Sequence, residues 1–150
     1  MNRSRLARRW RNRRPSRLTR SGAAVVEFAV CLPLIVFVVL AAIEACSLIF
    51  LRQALQTTAY EAVRAAVAPN GTAESVLGCA QEMLRERHVQ QGTVQLRPSD
   101  PAQAAKGAPV TVTVTAPLDS NRLMPPWFFR SGDFTASCVM LKEGNSLRTP

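Results

Sequence analysis

The sequence predicts an α+β fold. A single N-terminal transmembrane helix continues into an amphipathic stalk helix, and a small exported domain follows, with one helix on a three-stranded antiparallel sheet. Three observations predict it. Residues 23–51 hold only two charges, Glu27 and Glu44. The apolar residues that follow recur at three- and four-residue spacing up to Val67. After Gly92 the period changes to two, most clearly in Val110-Thr111-Val112-Thr113-Val114-Thr115. The boundaries read from these signals are a basic leader at 1–22, a transmembrane helix at 23–51, a stalk helix at 52–68, a small α+β domain at 69–143 and a loose tail at 144–150.

The leader carries the whole net charge. Nine arginines fall in the first twenty residues, no acid precedes Glu27, and the formal charge of the chain is +9. The remaining residues hold equal numbers of basic and acidic side chains. A basic globular domain built to bind nucleic acid is therefore excluded. The leader offers only Trp10 for base stacking, so no nucleic-acid partner is expected. With 47% hydrophobic residues the chain is not intrinsically disordered.

The apolar run is long enough to cross a bilayer. From Phe28 to Leu51 there are 24 residues, against about 20 needed for the hydrocarbon core. Fifteen of them are Leu, Ile, Val or Phe. At roughly −0.5 kcal/mol each these supply about −7 kcal/mol of insertion free energy, against about +3 kcal/mol for a central Glu. A secretory signal has a much shorter apolar stretch. Ala45-Cys46 resembles a lipoprotein cleavage junction only faintly, because Glu44 precedes it. The arginines on one side place the N-terminus in the cytoplasm and residues 52–150 across the membrane. Pro33 removes one backbone hydrogen bond and acts as a hinge or a passive kink.

Beyond the membrane segment, Ala54, Leu55, Ala59, Ala62, Val63, Ala66 and Val67 form one stripe. It packs either on its own domain or on another subunit. Pro69-Asn70-Gly71 is a turn, and Thr72 caps a second helix with Glu74 in its first turn. Val76, Leu77, Ala80, Met83 and Leu84 mark the apolar face of that helix, which fades near His88. Thr93–Arg97, Val110–Thr115 and Asp133–Lys142 are the strands. In the third, Phe134, Ala136, Cys138 and Met140 share one face. The apolar loop Leu123–Phe129 covers its own domain, touches the membrane or binds a partner.

Gly22, with Glu27-Phe28 starting on the fifth residue after it, resembles the start of type IV pilins, in which a membrane-embedded peptidase cuts after the Gly. The rest of the pattern is Leu32-Pro33, Glu44 and Arg52-Gln53-Ala54-Leu55-Gln56. Together these are similar to the TadE-like family of the tight-adherence (Flp) pilus system. The resemblance implies a processing site at Gly22 and Ala23, and a processing and subunit-register motif at Glu27 and Phe28. It also implies a second intramembrane acid at Glu44. The expected partners are the membrane, a prepilin peptidase, other pilus or pseudopilin subunits and the inner-membrane assembly platform. The expected role lies in adhesion and secretion. The location it implies is the bacterial inner membrane, with a periplasmic C-terminal domain. An uncleaved single-pass anchor serving as a periplasmic adaptor is the alternative.

After cleavage the new α-amino group of Ala23 would pair with Glu27 of a neighbouring subunit. Without cleavage Glu27 snorkels to the interface. An oxidising periplasm would permit a Cys79–Cys138 disulfide, while Cys31 and Cys46 are inert apolar residues of the membrane segment. No Gly-rich phosphate loop or nucleophile elbow is present, and His88 has no acidic or Cys cluster at ligand spacing. Asp100, Asp119 and Asp133 sit in turns. No enzymatic activity, cofactor, metal or small-molecule substrate is expected.

Overall fold

The structure is a computed structural model that describes residues 18–123, 125 and 131–143. Helix α1 spans Leu18–Val67 and α2 spans Ala73–Glu86. The strands are β1 (Thr93–Arg97), β2 (Pro109–Pro117) and β3 (Asp133–Leu141). Short 3-10 turns lie at Pro101–Gln103 and Asp119–Asn121. The chain divides into two compact units, Met1–Val39 and Leu40–Pro150.

The described part of the first unit is helix alone. Its long run of Val, Leu, Ile, Phe and Ala has no polar face. Val25, Val26, Phe28, Val30, Leu34, Ile35, Phe37 and Val38 are all exposed. Pro33 is accommodated without ending the helix.

The second unit is two-layered. The sheet order is β1-β2-β3, antiparallel throughout. Strict alternation in β2 makes this possible. Val110, Val112, Val114 and Ala116 are fully buried on one face, and the intervening threonines are half-buried on the other. Register carries the pattern across the sheet. Leu96, Val112 and Cys138 form one inward row, and Val94, Val114 and Ala136 the next. On the outer face Thr115 sits between Thr93 and Thr135, and its hydroxyl lies 3.0 Å from that of Thr135. Pro109 opens β2 where its missing N–H is harmless.

Both helices pack on the inward face. The seven residues of the stalk stripe, Ala54 to Val67, are all buried in this unit. The stripe therefore packs on its own domain, and α1 supplies more of the cover than the expected single helix α2. From α2 only Val76, Ala80 and Leu84 are buried. Leu77, expected on the same face, is exposed because it lies off the four-residue spacing of those three. Thr72 caps α2 in a capping box. Its Oγ1 accepts from the Ser75 N–H at 3.2 Å, and its own N–H donates to Ser75 Oγ at 3.1 Å.

The C-terminal end of α1 is closed by β3. Lys142 is buried, and its Nζ donates to the carbonyl oxygens of Ala66 (2.9 Å) and Ala68 (2.8 Å). A cation there satisfies carbonyls that lack a helical partner and complements the helix dipole. The next turn is too tight for a side chain. A Cβ on Gly71 would lie 2.5 Å from the Ala65 carbonyl oxygen and 2.6 Å from that of Ala66.

Cys79 and Cys138 are both half-buried free cysteines. The expected leader up to Arg17, most of the apolar loop (Met124, Pro126–Phe129) and the tail from Gly144 lie outside the described residues.

Candidate functional site: an apolar helix with two carboxylates

The residues singled out at the start of α1 follow one another along an exposed helix. Gly22 is helical, and a Cβ built on it meets nothing within 4 Å. Nothing in the fold requires glycine there, although glycine inside a helix costs about 1 kcal/mol relative to Ala. Ala23, Glu27 and Phe28 are all exposed. Ala23 and Glu27 are one helical turn apart and lie on the same side of α1. Glu27 is thus an exposed carboxylate among exposed apolar side chains.

Glu44 is in a different situation. It belongs to the second unit and is 3% exposed. Its Oε1 lies 3.1 Å from Nη1 of Arg122, whose side chain is also 3% exposed. Arg122 Nε is in turn 3.5 Å from Asp119 Oδ1. The sequence places Glu44 in the membrane run as an acid without an assigned partner. The structure pairs it inside the folded unit, next to Leu48 and Leu51, which join the core. Removing either member takes a 3.1 Å ion-pair contact from a buried charge, which is a costly change.

Arg122 is aimed by its neighbours. Asn121 locks the segment after β2 onto the turn between α2 and β1. Its Oδ1 accepts from the Gln90 N–H at 2.7 Å, and its Nδ2 donates to the carbonyls of Gln90 (3.0 Å) and Pro117 (2.7 Å). Ser120 Oγ donates to Gln91 Oε1 at 2.9 Å. Sequence reasoning missed Arg122. The available signal was that an acid in an apolar helix calls for a cation. Nothing local identified which one, since 78 positions separate the two.

Two further concavities lie in the second unit. A cleft of about 480 Å³ is lined by residues from α2 and the following turn, among them Gln81, Arg85 and exposed His88. A smaller one of about 140 Å³ lies between Arg52 and Leu55 of α1 and Phe134 to Ala136 of β3.

Residues 22–64 match the family model of TadE-like proteins. This is the family that the sequence motifs resemble. No curated protein and no solved structure matches the chain. The TadE-like segment starts at Gly22, contains Glu27 and Glu44, and ends within the buried stripe at Arg64. Helix α2 and the sheet lie beyond it. A TadE-like segment suggests a component related to the Tad pilus. One N-terminal helix is long and apolar enough to span a membrane, which suggests a single-pass membrane protein.

Proposed function

We propose that this protein is a pseudopilin-like component of a tight-adherence pilus or secretion assembly, cut after Gly22 by a prepilin peptidase. The observation that carries the reading is the Gly22-Ala23 bond at the head of an exposed apolar helix. Glu27-Phe28 follows, all within the segment that matches TadE-like proteins. A Cβ at Gly22 meets nothing within 4 Å, so packing among the described residues does not call for glycine, which supports a use in recognition by the peptidase.

The chain lies in the bacterial inner membrane with its N-terminus cytoplasmic. The folded unit is periplasmic. The protein's chemistry is to be a substrate rather than a catalyst. Cleavage removes all nine leader arginines and leaves residues 23–150 with no formal net charge. The new α-amino group on Ala23 pairs with Glu27 of a neighbouring subunit and sets the stagger between helices.

N-terminal sequencing of the protein from its native membrane tests the reading. A chain that starts at Ala23 supports it. An intact leader means an uncleaved anchored adaptor. Gly22→Leu should abolish the size change on processing essentially completely. An unchanged product with that substitution refutes the cleavage.

A further inference from the structure

Within the second unit, the outward side of α1 changes character abruptly. Ile43, Cys46, Ile49 and Phe50 are exposed and apolar. From Arg52 onward the exposed positions are Arg52, Gln53, Gln56, Tyr60 and Arg64. A helix in water has no need of such a switch. A helix leaving a bilayer has one where hydrocarbon and headgroups give way to water. Ala23–Phe50 holds 28 residues, more than the about 20 that a helix needs to cross the hydrocarbon core. The polar switch therefore marks the membrane surface on the domain side.

On its other side the same helix is already covered by the folded unit well before that switch. Glu44 lies six residues before Phe50, which is about 9 Å deeper along the axis. Arg122 meets it at that depth, 3.1 Å away, and the next residue, Leu123, is 78% exposed.

We infer that the edge of the folded unit carrying Arg122 and Leu123 is immersed in the leaflet from which α1 emerges, with Leu123 in contact with lipid. This inference rests on the membrane-anchored reading above. It accounts for the form of the ion pair. In water, withdrawing both charges to 3% exposure sacrifices hydration for little gain. Below a membrane surface little hydration is available, and closing the carboxylate onto the guanidinium is the way to hold both. It also accounts for an exposed leucine directly beside a buried charge pair.

The test uses the full chain in phosphatidylcholine vesicles, with the four native cysteines replaced by alanine and folding checked by a thermal melt. Single substitutions Ile35→Cys, Leu123→Cys and Gln56→Cys carry an environment-sensitive fluorophore, with and without nitroxide on the lipid acyl chains. Emission from position 123 should be blue-shifted and lose intensity to the nitroxide, as at position 35. Position 56 should show neither effect. The inference is overturned if position 123 behaves like position 56 while position 35 is quenched. It is equally overturned if position 123 is blue-shifted but unquenched, since protein rather than lipid then covers it. An unquenched position 35 refutes the membrane-anchored reading itself, and this inference with it.

Discussion

Helix α1 offers a comparison inside one element. Up to Val39 its apolar side chains face outward on every side. From Leu40 it carries one stripe that its own domain buries and one outward side that turns polar. The two stretches share helical geometry and similar residue types, so helix propensity does not distinguish them. What differs is the source of the apolar environment. The second stretch finds it in α2 and the sheet. The first finds none among the described residues and needs it from lipid or from other chains. The carboxylates follow the same division. Glu27 is exposed, while Glu44 is closed onto Arg122.

The sharpest way to break this comparison is through the buried pair. Arg122→Gln removes the guanidinium that lies 3.1 Å from the buried Glu44 carboxylate and should cost about 3–5 kcal/mol of domain stability, measured by denaturant unfolding of the detergent-solubilised chain. The double change Glu44→Leu with Arg122→Met should recover most of that loss. Failure of the double variant to recover would mean that Arg122 acts mainly through Asp119 or packing. Truncation on the two stretches comes next. Leu55→Ala removes a fully buried side chain and should cost about 2–5 kcal/mol. Ile35→Ala, on the exposed stretch, should leave domain stability within about 0.5 kcal/mol. Equal effects would erase the distinction. A smaller loss than that of Leu55→Ala is expected at the C-terminal end of the helix. Lys142→Met removes two charge-assisted hydrogen bonds to carbonyls of α1 and should cost about 1.5–3 kcal/mol, with faster hydrogen exchange at the last turn.

Much of this architecture was legible from local pattern. Period-two alternation and turn residues located β1 at its observed bounds and β3 to within one residue. Thr72 announced the start of α2 because capping is a property of four consecutive residues. The candidate processing residues were equally readable, being contiguous along one helix. Arg122 and Lys142 were not. Each is an ordinary cation in a polar stretch, and its role appears only when the chain brings it against residues more than seventy positions away. The choice between internal and external packing for the alanine-rich stripe was likewise open, because small apolar residues suit either partner.

By itself, then, the sequence determined which segments are helix or strand, where the apolar run begins, and that all the net charge sits ahead of Gly22. These depend on spacing along the chain, which composition and period record directly. Tertiary structure alone decided which half of α1 has a core of its own and that Arg122 pairs with Glu44. Those outcomes depend on strand order and on the approach of distant side chains, and neither leaves a mark in the local pattern of residues.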